Sequence, residues 1–424
     1  STQLGNPLAL IIAGGIIILL GLVPGMPSFI FLTLGIAAGL AGYFLSKSAD
    51  KKIAEAANDV SEAIKENDVN KEELNWDDVD QVDLVGLDIG YGLIPLVNPE
   101  TGGQLLPRVK GVRKKLSAEL GFLVQPIRIR DNLDLEPDVY NIVMNGVIRG
   151  KGEIKIGQEL AINPGQVHGS LEGTPTKEPA FGLDAVWIDP AQRDYARTLG
   201  YTVVDPATAI ATHLNTLLRN NASELISHDE TQQLLDKVAE RSPKLVEDLV
   251  PEKLSLATIT KVLQNILDES VSVRDMRTIL EVLSTESSRT QDVEELTAAV
   301  RPKLGRMIVQ GLVDVDDNLP VMTLNPALEQ MLNNILQQSG SSQGLVIEPK
   351  LAESLISALA KNTREIEDQG SAAVLVVSPT LRPWLSKFIR HRLSDLTVLS
   401  YSEIPDDQAV DVVATIDVDP SNEQ

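Results

Sequence analysis

The chain has 424 residues and no cysteine. That excludes disulfides, thiolate metal ligands and a cysteine nucleophile. Aromatic residues amount to 4%, so each one invites a reason for its place. Histidine occurs only at positions 168, 213, 228 and 391, with no metal-like spacing, and each reads as a capping or surface residue. Basic residues are in deficit, 37 Lys and Arg against 60 Asp and Glu, for a formal charge of −23. A nucleic-acid binder needs a basic surface, so that class is disfavoured. Walker A and metalloprotease motifs are absent, and nothing in the pattern requires a cofactor.

Charge is missing altogether from the first 46 residues, and Lys47 is the first ionisable side chain. Two apolar runs, LALIIAGGIIILLGLV (8–23) and FIFLTLGIAAGLAGYFL (29–45), flank a PGMPS turn. With its flanks each run reaches the ~20 residues that cross ~30 Å of hydrocarbon. Gly35, Gly39 and Gly42 form a small-residue stripe suited to close helix packing in lipid. Residues 1–46 are therefore expected to form a transmembrane helical hairpin. Lys47, Lys51 and Lys52 follow the second run, which places the remainder in the cytoplasm by the positive-inside rule.

Residues 47–82 are acidic and read as a linker, with Trp76 out of character inside EELNWDDVD. Such a Trp is docked either locally or on a partner. After the linker the pattern is α+β. VDLVGLDIG and LIPLV are strand-like, and LLPRVKGVRKKLSAELG is an amphipathic helix closed by Gly121. IRIRD, YNIVMNGVIRG and GEIKIGQELAIN alternate like half-buried antiparallel strands. Residues 164–182 look like a Gly/Pro-rich loop leading into the strand DAVWI, a helix near 190–199 and the strand YTVV. Asp205-Pro206 is a strong helix start, with Asp as N-cap and Pro in the first turn. On that helix Ile210, Leu214, Leu217 and Leu218 share a face, and Thr212 points away from it. Residues 223–312 read as helical, with Ser272 and Asp275 in a capping-box-like start and Pro302 expected to kink or break the last helix. Beyond 320, helices alternate with the strands AAVLVVS and LTVLSY.

Two motifs have alternative readings. GSSQG (340–344) matches the G-x-S-x-G nucleophile elbow, which would make the chain a membrane-anchored serine hydrolase acting through Ser342. The elbow needs a strand before the Ser and a helix after it; here a helix precedes and the strand-like LVIEP follows, so a Gly/Ser loop fits better. The basic run RVKGVRKK (108–115) is either a solvated helix face or a contact for another subunit or for lipid headgroups.

GLVPGMPSF, LDIGYGLIPLV, GVRKKL, RIRDNL, PAFGLDAVWID, GYTVVDPATAIATHLN and VLSYSEIP occur in an order and spacing that resembles the export-gate family of type III secretion systems, on its flagellar side. The pair PAFGLDAVWID and GYTVVDP is the most specific part. The alternative within the family is the gate of a virulence (injectisome) system. The resemblance implies an inner-membrane, multi-pass and non-enzymatic protein whose large C-terminal region lies in the cytoplasm. It implies a chain made of the last two membrane spans, the linker and four cytoplasmic subdomains: 83–156 with 205–222, an inserted 157–204, a helical 223–305, and an α/β 306–418. It further implies a nine-subunit ring, with export chaperones carrying their substrates, other gate proteins and the export ATPase complex as partners.

Site residues carry over individually. The chaperone-binding dimple of the family resembles Glu178, Phe181 and Thr212, with Val203 and Val204 as apolar neighbours. The family has Asp where this chain has Glu178, a longer arm with the same charge. Glu73, Trp76 and Asp78 resemble linker residues that dock on a neighbouring subunit, and Gly90 resembles a hinge-sensitive glycine. From the residues alone both Phe181 and Trp187 read as core; the resemblance separates them, leaving Trp187 in the core and making Phe181 a binding residue.

Overall fold

The computed structural model describes residues 82–418, apart from 99, 101–102, 315, 340–346 and 391, together with positions 29, 33, 36, 37 and 40, which are helical. The expected transmembrane hairpin, the linker residues Glu73, Trp76 and Asp78, and Ser342 lie outside the described residues. No helix among the described residues is long and apolar enough to cross a membrane. Contacts divide the chain between Gln81 and Val82, and the account below concerns the second unit.

The first sheet has strand order β2-β1-β3-β4, with β1 at Val85–Ile89, β2 at Arg128–Asp131, β3 at Val139–Met144 and β4 at Val147–Glu153. Every residue of β3 is buried, as befits a central strand covered on both faces. β3 and β4 form an antiparallel hairpin that splits the strand-like run YNIVMNGVIRG. Its turn, Asn145-Gly146, has φ of 51° and 77°, the left-handed pair that Asn-Gly adopts at little cost. β2 pairs with β1 in parallel, so IRIRD is not part of an antiparallel meander. LIPLV is not a strand either: Tyr91–Leu96 is a 3-10 helix with Pro95 inside it. Pro95 has no N–H to give to a ladder, and a 3-10 turn tolerates that loss better than a sheet does. Helix α1, Leu105–Leu120, ends at Gly121 with φ 95°. A Cβ there would come within 2.4 Å of the Arg274 backbone, so glycine is required both for the turn and for the approach.

The second sheet has order β6-β7-β5-β8, with β5 at Glu159–Ile162, β6 at Thr174–Lys177, β7 at Asp184–Ile188 and β8 at Thr202–Val204. All neighbours are antiparallel. TPTK, inside the segment expected to be loop, is thus an edge strand. Two-residue alternation is invisible in so short and polar a run, and Pro175 is tolerated because the strand is at an edge. Helix α2, Arg193–Thr198, follows β7 after a 3-10 turn. Helix α3, Pro206–Asn220, follows β8 and returns to pack on α1 of the first sheet.

A helical block comes next: α4 His228–Ala239, α5 Pro243–Glu247, α6 Leu256–Asp268, α7 Met276–Glu286 and α8 Val293–Gln310. Four of its five starts are capped by side chains, Ser227 with Glu230 in a full capping box, Ser255, Asp275 and Asp292. α7 starts at Met276 with Asp275 as its cap, and Ser272 instead donates to the Leu120 carbonyl at 3.1 Å. Pro302 neither ends nor splits α8. Buried Leu296, Val300, Leu304 and Ile308 hold the helix to the core on both sides of the proline, and that packing outweighs one lost backbone hydrogen bond.

The third sheet is parallel throughout, in order β11-β10-β9-β12, with β9 at Leu319–Leu324, β10 at Val374–Val377, β11 at Thr397–Ser400 and β12 at Val410–Ile416. α9 (Pro326–Ser339) and α10 (Pro349–Glu367) connect β9 to β10, and α11 (Arg382–Ile389) connects β10 to β11. The described end of LVIEP is not strand: Ile347 and Glu348 lead directly into α10. This sheet has its own core, around Met322, Leu359 and Leu375, while the first sheet and the helical block share another, around Leu87, Ile210 and Leu263. The fold is α+β.

Candidate docking site

The strands of the second sheet sort the residues of PAFGLDAVWID and YTVV by face. Side chains alternate along a strand, so Ala185 and Trp187 of β7 point with Leu160 into the main core, while Val186 and Ile188 point to the other side with Ala161. Trp187 is 2% exposed, core as expected. Val204 packs against the main core, and Val203 joins the small cluster of Ala161, Ile188 and Ala196 on the opposite face. The two valines therefore do not line one dimple. They are consecutive on a strand, and only Val204 can face the site.

Phe181 sits in the loop between β6 and β7 and is 65% exposed, unusual for the largest apolar side chain of its segment. The loop closes tightly. The Glu178 N–H donates to the Leu183 carbonyl at 2.8 Å, and the Gly182 N–H donates to the Glu178 carbonyl at 2.9 Å. Gly182 has φ 69°, a conformation glycine adopts freely. Outside the loop, Lys177 and Asp184 pair at 2.7 Å across the last rung of the hairpin.

Glu178, Phe181, Val204 and Thr212 meet around one cavity of about 200 Å³. Ile162, Leu183 and Ala209 complete its apolar wall, and Thr202 shares the rim with Thr212. Four of these come from positions that sequence reasoning passed over. Thr202 lies two residues before Val204 and so on its face of β8, a signal that was available. Ala209 lies three residues before Thr212 on α3, also within reach of helical periodicity. Leu183 and Ile162 had no such signal, because only the pairing of β5 with both β7 and β8 brings them to this rim.

Helix α3 is set firmly enough to present Thr212. Asp205 accepts from the Thr208 N–H at 2.9 Å and from its hydroxyl at 2.7 Å, and Arg108 of α1 donates to the same carboxylate at 2.7 Å. Thr212 is half-buried and turned from the stripe of Ile210, Leu214, Leu217 and Leu218. Beside it His213 is buried, contrary to the surface reading of all four histidines. Its Nδ1 lies 2.8 Å from the Tyr140 hydroxyl of β3. Both rings pack beneath Gly150 and Gly152 of β4, where a Cβ would strike them at 2.9 and 2.5 Å. Burial lowers the His213 pKa, an effect the nearby Glu178 carboxylate partly opposes. Burial, then Glu178, raises that of Tyr140. The pair is neutral at physiological pH and ties the helix carrying Thr212 to the first sheet. His168 and His228 are exposed, as expected.

The other expected residues fall elsewhere. Gly90 has φ −67°, so no left-handed turn demands it. A Cβ there would meet the Glu136 carbonyl at 2.1 Å: the glycine allows two backbones to touch, an observation of packing rather than of motion. Much of the basic run 108–115 is engaged within the unit, Arg108 with Asp205, Arg113 with the Val124 carbonyl at 2.7 Å, and Lys115 with Glu119. Larger depressions exist among the described residues. One of about 790 Å³ is rimmed by Asp314, Asp316, Asp317 and Asp411, and another of about 600 Å³ lies between α1 and α4. Neither gathers the residues singled out in the sequence. No group of His, Asp and Glu suited to a metal occurs among the described residues.

Comparison with known proteins adds three findings. The model of the FHIPEP family matches residues 1–409. The flagellar biosynthesis protein FlhA of Escherichia coli K12 is 43% identical over 418 residues, which is 97% of this chain and 58% of that protein. The chain thus spans less than two thirds of the length of that relative. Among solved structures, the Chlamydia pneumoniae CdsV and CdsO protein complex contains a chain that matches with a TM-score of 0.69 at 23% identity, covering 80% of this chain and 99% of that one. The nonameric SctV-C of EPEC matches with a TM-score of 0.64 at 22% identity, covering 80% and 99%. At such identity these two structures establish the shared α+β fold.

Proposed function

The chain belongs to the FHIPEP family, and from that premise we propose that it is a component of the flagellar type III protein export gate, acting without catalysis as a dock for export chaperones and their substrates. The observation that carries this reading is the convergence of Phe181 and Glu178 from a loop, Val204 from a strand and Thr212 from a helix on one small apolar cavity. Phe181 stands exposed beside that cavity. Aromatic anchors seated in apolar pockets dominate the energetics of small interfaces. The flagellar branch is favoured over the virulence branch by the 43% identity to a flagellar protein, against 22–23% to the solved CdsV and SctV-C chains.

In this reading residues 1–46 span the bacterial inner membrane and the remainder hangs in the cytoplasm as a ring subunit. Nine copies form the ring, by analogy with the nonameric SctV-C. Glu73, Trp76 and Asp78 of the linker dock on the neighbouring copy, and Gly90 serves a hinge. Docked substrates pass to a channel driven by the proton motive force. Other gate proteins and the export ATPase complex are further partners, a role in keeping with the relative solved together with CdsO.

The test is a calorimetric titration of the chain, in detergent micelles, with a flagellar export chaperone bound to its filament-type substrate. Phe181→Ala is expected to weaken binding by about 2 kcal/mol or more, as hot-spot truncations do, with circular dichroism unchanged. Unchanged affinity in a folded variant would remove the cavity from the docking site.

A further inference from the structure

Glu178 is a carboxylate with almost no contact with water, 2% exposed, although it borders the cavity. Its two oxygens are both occupied. The Ala180 N–H donates to Oε1 at 2.9 Å, and the Phe181 N–H donates to Oε2 at 2.7 Å. With the two backbone bonds to Leu183 and Gly182, four hydrogen bonds centre on this one residue. Together they determine where the backbone of Phe181 stands. Among the described residues no basic side chain pairs with the carboxylate; Tyr140 and His213, which feel its charge, are buried in the core. A carboxylate so buried, with an amide on each oxygen, offers a cationic partner little access.

We propose that Glu178 is a positioning residue: it touches no partner and acts through Phe181, holding the ring in its presented place so that whatever docks meets an apolar, uncharged seat. This rests on the docking role given above. Affinity then comes from preorganisation. A loop already fixed in its bound form loses little conformational freedom on association. The side chain that enters the cavity is apolar, and the dock needs no basic group opposite Glu178. A carboxylate one methylene shorter can accept the same N–H groups two and three residues ahead, as Asp does in Asx turns, so Asp and Glu are interchangeable in this role. In a direct ion pair they would place the charge at different depths.

Two measurements test this. The first needs no partner: amide hydrogen exchange in the 424-residue chain. The Ala180, Phe181 and Gly182 amides are expected to be protected in the wild type and in Glu178→Asp, and to exchange markedly faster in Glu178→Ala. Wild-type amides that exchange like those of an open loop would overturn the proposal whatever binds. The second is a double-mutant cycle with the chaperone–substrate complex used above. Glu178→Ala is expected to weaken binding about tenfold, equal to ~1.4 kcal/mol, equally at low and high salt. Glu178→Asp is expected to restore most of it, and Glu178→Ala is expected to add nothing in a Phe181→Ala background. A loss that shrinks with salt, or that persists in the Phe181→Ala background, would mean that the carboxylate meets the partner directly and would overturn the proposal. Protected amides in a chain that binds no chaperone would leave the positioning role standing and remove the docking function instead.

Discussion

Two buried carboxylates behave differently in this molecule. Glu178 and Glu403 are 2% and 3% exposed, so both are removed from water and both need compensation. Glu178 is answered by backbone N–H groups of its own loop. Glu403, just past β11, is answered by guanidinium groups. Arg301 of α8 donates to it at 2.8 Å, and Arg382 of α11 approaches at 3.4 Å. Both arginines also pair with Glu269 at the end of α6. That makes two buried cations, one buried anion and one partly buried anion, joining the helical block to the third sheet. Even the backbone fits closely there, since a Cβ on Gly305 would meet the Glu403 carbonyl at 2.0 Å. A buried carboxylate matched by cations from other elements fastens elements together. One matched by its own loop's amides shapes a surface.

Substitution should separate the two roles. Glu403→Ala leaves two buried guanidinium groups facing one carboxylate, and breaking a buried pair on one side costs about 3–5 kcal/mol. Denaturant unfolding should read that loss, and chaperone binding by the folded fraction should be unaffected. Were Glu403→Ala to unfold no more easily than wild type, the quartet would not fasten anything. Trp187→Ala empties a core position and should cost a similar ~3–5 kcal/mol. Glu178→Ala should cost less, about 1.5–3 kcal/mol, the scale of hydrogen bonds to a charged group. A cost as large as that of Glu403→Ala would erase the distinction between them. Phe181→Ala should move stability by less than ~0.5 kcal/mol, since an exposed side chain away from buried features contributes little to folding.

The smallest effect is a dependence on pH. Burial depresses the His213 pKa, so the unfolded chain takes up a proton there before the folded one does. Stability from this group is therefore full above the unfolded value near 6.5 and falls as pH drops below it, until the folded pKa is reached. Nearby Glu178 opposes the shift, so the change should be small beside the losses above. Unfolding midpoints between pH 7 and 5.5 should decline more steeply in wild type than in His213→Gln. Parallel slopes would assign the decline to other groups.

Elements with strong local signals were legible from residues alone. Asp205-Pro206 starts α3 and Gly121 ends α1. In each, a side chain or a permissive φ satisfies backbone groups within a few residues, and that chemistry travels with the sequence. Pro302 and LIPLV were misread because each local signal met a competing demand. In one, packing held a helix through its proline; in the other, a proline made a strand-like run into a 3-10 turn. TPTK was passed over because a four-residue edge strand carries almost no periodicity.

The candidate docking site divides along the same line. Residue types and order carried the identity of Phe181, Glu178 and Thr212 as a group, and helical periodicity alone turned Thr212 from the core stripe. The sequence by itself therefore determined the fold class, most helices and which residues to look at. Only the tertiary structure decided what each does. Val204 and Val203 part company because a strand sends neighbours to opposite faces. His213 is buried because β4 closes over it, and Glu178 turns inward because two amides of its own loop bind it there. Such outcomes depend on which distant groups arrive within a few ångströms, and hydrogen bonding and burial are decided at that range.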